Sequence, residues 1–199
     1  FNSKAPNAFA TGASKNSSLV ALSTGLINGM SKNEIEAVIG HEMSHVANGD
    51  MVTLSLIQGI INAFVIFFSR VIGHFVDRVI LKNDRGYGIG YFFTVIFAQV
   101  VLGILASTIV CWYSRQREFR ADYGGARLTS KANMISALKA LDRFTAAKLP
   151  DQMLAFGISN KGQRSRFQKL FSTHPPMADR IAALEQISIE SHSNSQQTN

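Results

Sequence analysis

One cysteine and four prolines are all that the 199-residue sequence contains, and two long stretches carry no charge at all. A single cysteine excludes an intramolecular disulfide framework. Cys111 also lies in an apolar run away from any CxxC, which excludes a thiolate metal site. A metal bound by this chain must therefore use imidazole and carboxylate ligands. Acidic residues are outnumbered, 13 against 20 basic ones, for a net charge of +7. That excess suits an anionic membrane surface or a nucleic acid, but no nucleic-acid-binding motif accompanies it, so nucleic acid is not expected as a partner. There is no fixed-period repeat, and 46% hydrophobic residues rule out a disordered chain. The sequence opens on Phe1 without a signal peptide, so it is expected to be a segment of something longer.

The first charge-free stretch, Met51 to Ser69 (MVTLSLIQGIINAFVIFFS), is just long enough to span a bilayer. The second, Gly86 to Ser114, is centred on FFTVIFAQVVLGILASTIVCWY and reads as a helix of membrane length with Trp112 and Tyr113 at an aromatic edge. A pair of buried helices in a soluble protein is the alternative. His74 to Arg85 is a short mixed-charge connection that reads as a loop or as an extension of the first apolar helix. Upstream, Asn7 to Gly12 (NAFATG) and Leu19 to Thr24 (LVALST) are strand-like runs flanking a turn-rich segment, which predicts a small hairpin. Ser31-Lys32-Asn33-Glu34 is a capping box, so a helix should begin near Lys32, run past His45 and end or kink at Asn48-Gly49. Downstream, Arg115 to Leu128 reads as helix, and Ser130 to Leu149 as another with Met134, Ile135, Leu138, Leu141 and Phe144 on one face. A last helix starts at Pro176, and the polar Ser188 to Asn199 is expected to be disordered. The expected fold class is mainly α with a small β-hairpin (α+β). The expected division is 1–50 as the first part of a domain, 51–113 as a transmembrane hairpin, 114–187 as the second part, the two parts together being catalytic on the motif described next, and 188–199 as a tail.

The chemistry is concentrated in His41-Glu42-Met43-Ser44-His45. On a helix, positions i and i+4 share a face, so His41 and His45 can offer both imidazoles to one Zn²⁺ ion while Glu42 stands beside it as general base. Two surface histidines on a basic helix are the bland alternative. A catalytic zinc site needs a third protein ligand and an open fourth position. Glu118 and Asp122 are also spaced i, i+4, so one carboxylate can bind the ion while the other orients a ligand imidazole. An exposed acidic pair balancing Arg115, Arg117 and Arg120 would have the same spacing. His174, stiffened by Pro175 and Pro176, is a rival ligand or an oxyanion donor, against the capping or packing role that is the default for a lone histidine, and Arg180 either steadies that segment or is an ordinary surface charge.

HEMSHVANGD, REFRAD, THPPMADRI and the upstream NAFATG together resemble the HtpX-type heat-shock membrane zinc metalloproteases of bacteria, distant relatives of the CAAX prenyl-protein endopeptidases. The resemblance runs to about Ile187. It implies a zincin-like metalloprotease domain interrupted by a transmembrane helical hairpin, with one Zn²⁺ per chain held by His41, His45 and Glu118 and supported by Asp122. Family members also carry two further transmembrane segments ahead of the part that corresponds to this sequence. The resemblance further implies a zinc metalloendopeptidase that degrades misfolded membrane proteins under stress, with polypeptide substrates, membrane lipids as its surroundings and a bacterial inner-membrane location. Asn7, Ala8, Phe9 and Ala10 would offer a strand edge on which an extended peptide adds with loose side-chain specificity; an ordinary hairpin strand is the alternative. Because the candidate ligands flank both apolar stretches, the chain crosses the bilayer between them twice or not at all. Arg115, Arg117 and Arg120 just past the second stretch put the site in the cytoplasm, while Arg70, Arg78, Lys82 and Arg85 pull the other way.

Overall fold

Apart from one hairpin, the regular structure is helical in the computed structural model, which describes residues 1–14, 16–84, 86–147 and 172–187. Strands β1 (Ala8–Ser14) and β2 (Ser17–Leu22) pair antiparallel, with Ala8 opposite Leu22 and Ala10 opposite Val20, and the register shifts between Thr11 and Ser14. Helices follow as α1 (Thr24–Gly29), α2 (Lys32–Asn48), α3 (Asp50–Phe75), α4 (Ile89–Leu128), α5 (Lys131–Ala147) and α6 (Met177–Gln186). A turn of π-helix, Val76–Ile80, prolongs α3, so the first part of the connection extends the helix, the alternative to a loop. Two differences stand out. Thr24, read as the end of a strand, begins α1, because the Ser23 hydroxyl accepts from Leu26 N at 3.1 Å and caps a helix there. The second apolar stretch and the Arg115–Leu128 segment are one uninterrupted helix, since neither proline nor glycine stands between Trp112 and Gln116. The tail from Ser188 lies outside the described residues.

The described residues fall into two compact units. One contains 1–49, 117–147 and 175–187, and the other 50–116 with 172–174. In the first, Leu26, Val38, Ala126, Met134, Leu138 and Leu184 pack as a core, to which the i, i+4 face of α5 contributes as its periodicity predicts. Helix α2, which carries the HExxH residues, is set by its ends. Ser31 Oγ accepts from Glu34 N at 3.4 Å, Ser31 N donates to Glu34 Oε2 at 2.8 Å, and Gly49 closes the helix in the left-handed conformation at φ 66°.

Glu34 also accepts from Ser136 Oγ at 2.7 Å, tying α2 to α5. The Ser136 hydrogen bond, joined by those from Ser31, holds the Glu34 carboxyl below its ordinary value of 4.5 despite an opposing effect of burial. A depressed carboxylate pKa means that the ionised form stabilises the fold above about pH 4.5 and that this contribution is lost as pH falls through the folded value. Unfolding midpoints of the wild type and Glu34→Gln are therefore expected to differ at pH 7 and to converge as pH falls below 4.5 and through the folded value. A constant difference across that range would show that the carboxylate charge contributes nothing.

In the second unit, a Cβ on Gly73 of α3 would run into Val95 of α4, so the two helices approach closely there. Buried Asp77 organises the connection by accepting from Gly88 N at 3.1 Å and Asn83 Nδ2 at 3.0 Å. Many other apolar side chains of this unit are largely exposed among the described residues, although Phe64 and Phe67 both meet Phe68. Phe64, Phe67, Phe93 and Phe97 are 56%, 59%, 72% and 70% exposed. That exposure speaks against buried core helices, the alternative for the two apolar stretches. Both helices are long and apolar enough to cross a membrane.

Candidate metal centre

His41 and His45 lie one turn apart on α2, and their Nε2 atoms converge to 3.1 Å. Glu118, on the C-terminal part of α4, brings Oε1 to 3.5 Å from His45 Nε2 and Oε2 to 3.8 Å from His41 Nε2. One ligand atom from each of the three residues lies within 4.8 Å of the other two. Metal–ligand bonds of about 2.0–2.1 Å in a tetrahedron place neighbouring ligand atoms about 3.3 Å apart, so the spacing fits a Zn²⁺ ion with only small closure. The donor set, two imidazoles and one carboxylate, is also one that Zn²⁺ accepts in catalytic sites.

Close contact between glycines makes this convergence possible. A Cβ on Gly40 would come within 3.2 Å of Gly125 Cα, one on Gly125 within 3.0 Å of His41 N, and one on Gly124 would collide with Ser44 Oγ. Helices α2 and α4 thus approach at backbone distance beside the site, which side chains of ordinary size would prevent. Gly40 directly before the HExxH and the Gly124-Gly125 pair after Asp122 were legible in the sequence as small residues, but their role was not read from it.

Behind the ligands the residues are buried. Glu118 and Asp122 are 3% and 1% exposed, which excludes the exposed acidic pair as their explanation. Asp122 Oδ1 lies 3.0 Å from His41 Nδ1, an ion-pair approach in which the N–H is not aligned as a full hydrogen bond. Arg180, 5% exposed, forks onto Asp122, donating from Nε to Oδ2 at 2.7 Å and from Nη2 to Oδ1. Its Nη1 lies 3.6 Å from Glu118 Oε2. Burial acts to lower the Arg180 pKa, but the hydrogen bonds and charge of Asp122 outweigh it and raise the value, so the guanidinium stays charged in the interior. A surface role for Arg180 is thereby excluded. Arg117, read as one of several counter-charges, also sits close, with Nη2 3.9 Å from Glu118 Oε1.

Glu42 Oε2 accepts the N–H of Ala10 at 3.1 Å, which brings strand β1 up to the side chain next to His41. That N–H points away from β2, so Ala10 is on the outer side of the hairpin. Of its neighbours, Ala8 packs partly into the core and Phe9 is 43% exposed. Asn7 N donates to Ser23 Oγ at 2.9 Å, anchoring the strand where it begins. His174 belongs to the second unit, where its carbonyl accepts from Ser172 Oγ at 2.6 Å and Arg115 Nη1 donates to Ser172 O at 2.9 Å.

Comparison with known proteins gives a consistent picture. The model of peptidase family M48 matches residues 1–188. Protease HtpX of Thioalkalivibrio sulfidiphilus is 60% identical over 186 residues, covering 93% of this chain and 63% of that protein. Protease HtpX of Nitrosococcus oceani is 60% identical over 185 residues, covering 92% of this chain and 62% of that protein. The chain thus spans less than two thirds of the length of these relatives. Among solved structures, the crystal structure of Ste24p from S. mikatae superposes with a TM-score of 0.64 over 91% of this chain and 42% of that one. At 23% identity this likeness is one of fold.

Proposed function

This chain belongs to peptidase family M48, and on that premise we propose that it is the catalytic part of a membrane-bound zinc endopeptidase that hydrolyses peptide bonds in misfolded membrane proteins. The observation that carries the proposal is the convergence of His41, His45 and Glu118 within 4.8 Å, with Glu42 on the same helix as the two histidines. His41 and His45 would hold one Zn²⁺ through Nε2, with Glu118 as third ligand. When bound, such an ion polarises a carbonyl and makes a nearby water more acidic. Asp122 orients His41 by attracting Nδ1–H, which leaves Nε2 free as a ligand atom, and Arg180 fixes Asp122 in turn. Glu42 takes a proton from the attacking water and returns it to the leaving amine. The outer side of β1 at Asn7 to Ala10 would take an extended peptide as an added strand, and main-chain pairing of that kind suits loosely selected, unfolded substrates. His174 would donate to the oxyanion.

If this reading holds, a strong zinc chelator should abolish cleavage of an unfolded test protein such as casein by the purified chain, and added Zn²⁺ should restore it. Cleavage that persists after the metal has been stripped, verified by elemental analysis, would sink the proposal.

The two apolar helices would form a transmembrane hairpin in a bacterial inner membrane, with both ends on the cytoplasmic side. Support comes from the exposure of their phenylalanines and from the ligands, which flank the helices in sequence and gather at one place. In a Cys111→Ser background, Asp84→Cys and Asp142→Cys should label from opposite faces of sealed vesicles. Labelling from the same face would exclude the hairpin.

A further inference from the structure

We propose that Arg117 is a further catalytic residue, the guanidinium that donates to the carbonyl oxygen of the scissile peptide as that oxygen becomes negative. This rests on the peptidase reading above. Two guanidinium groups lie beside the candidate ligands, and they are used differently. Arg180 spends Nε and Nη2 on Asp122 and keeps Nη1 3.6 Å from Glu118. Arg117 makes only a long approach to Glu118, 3.9 Å from Nη2, and its Nε is buried without a hydrogen-bond partner among the described residues. A guanidinium whose Nε is left unused and whose Nη2 makes only a long ion-pair approach is incompletely engaged, so it can turn toward an acceptor that arrives with a ligand. Its Nη2 is the donor nearest the candidate ligands, since the Glu118 Oε1 that it approaches lies 3.5 Å from His45 Nε2, and a scissile carbonyl held at those ligands is the acceptor this donor would meet.

Asp122 already engages Arg180, so of the two guanidinium groups Arg117 is the less committed. The charge that appears during hydrolysis is on the carbonyl oxygen. The water oxygen bonds to the carbonyl carbon while Glu42 takes its proton, and the C=O π pair moves onto oxygen, where an Arg117 N–H meets it. On collapse the pair re-forms the carbonyl, the C–N bond breaks, and the amine leaves with the proton from Glu42. A donor that meets more charge in the transition state than in the bound substrate raises kcat and leaves substrate affinity largely unchanged. Arginine suits this role because it stays protonated at every working pH.

The test uses the purified, zinc-loaded chain and its Arg117→Gln and Arg117→Lys variants. Measured are zinc affinity, unfolding midpoint, kcat and KM on a peptide, and inhibition by a phosphinic peptide, whose tetrahedral oxygens imitate the intermediate. Arg117→Gln should keep zinc affinity and KM within about 3-fold, lower kcat by about 10²-fold, and weaken the phosphinic inhibitor by a similar factor. Arg117→Lys should lose less, and free guanidinium should restore part of the activity of Arg117→Gly. Unchanged kcat in Arg117→Gln with an active wild type overturns this inference alone. A loss of kcat with inhibitor affinity unchanged, or a parallel loss of zinc in both the Gln and Lys variants, also overturns it and makes Arg117 a structural support. A wild type that binds zinc yet hydrolyses nothing overturns the peptidase reading itself.

Discussion

Glu42→Gln is expected to keep its metal and to lose peptide hydrolysis by about 10²-fold to 10⁴-fold, the range that a general base contributes. Glu42 is one residue along α2 from His41 and outside the His41, His45 and Glu118 cluster, so it is not needed to hold the ion. Glutamine has nearly the same shape and still offers an oxygen to Ala10 N–H, now 3.1 Å from Glu42 Oε2, so the link between α2 and β1 should survive. What is lost is the ability to accept a proton near neutral pH. Elemental analysis of the purified variant, run beside a casein cleavage assay, separates the two effects. Full activity in Glu42→Gln would remove the proposed mechanism, and loss of metal would make Glu42 a ligand.

Removing a ligand should have the opposite signature. His41→Ala and His45→Ala are expected to abolish zinc binding, since each takes away one of the two Nε2 atoms that meet at 3.1 Å. Glu118→Gln should weaken zinc affinity by 10-fold to 100-fold or more, by about the losses seen when groups supporting a metal ligand are removed or worse. The same change leaves Arg180 and Arg117 facing a neutral amide where a buried carboxylate stood, so some loss of stability should accompany it. His174→Ala, in contrast, should bind zinc almost as the wild type does and lower kcat by about 10²-fold, the effect of removing an oxyanion donor. Titration against a competing chelator distinguishes them. If His174→Ala loses the metal and Glu118→Gln retains it, the two roles must be exchanged.

These variants probe a site whose parts differ in how they are encoded. The pairing of His41 with His45 is local. A helix repeat brings i and i+4 onto one face, and the Ser31–Glu34 capping box fixes where that helix starts, so four or five neighbouring residues suffice to specify two candidate ligands and a candidate base. The two apolar stretches are equally legible, because length and the absence of charge are properties of the chain alone. The face of α5 could be read for the same reason. Boundaries that depend on a single cap were harder, as the start of α1 at Thr24 shows, where one Ser23 hydroxyl turns an apparent strand end into a helix.

The remaining features join residues far apart in the chain, and no local period encodes them. Spacing shows that Glu118 and Asp122 share a helix face, but it does not show which helix that face meets, and an exposed pair would have the same spacing. Family resemblance supplied the direction, and packing decides the geometry. Gly40 and Gly125 let α2 and α4 approach until Glu118 lies within 4 Å of both imidazoles and Asp122 stands behind His41. Arg180 looks in the sequence like any charge on a late helix, and only the burial of α6 against the rest of its unit turns it toward Asp122, 58 residues earlier. Ala10 N–H meets Glu42 for the same kind of reason, since a strand's hydrogen-bonding direction is fixed by its pairing partner and the helix beneath it. The sequence by itself determined the candidate ligands, the candidate base and the apolar stretches, through helix periodicity and hydrophobic run length. Tertiary structure alone decided how carboxylates, guanidinium groups and strand converge on them, because that depends on how closely distant helices can pack.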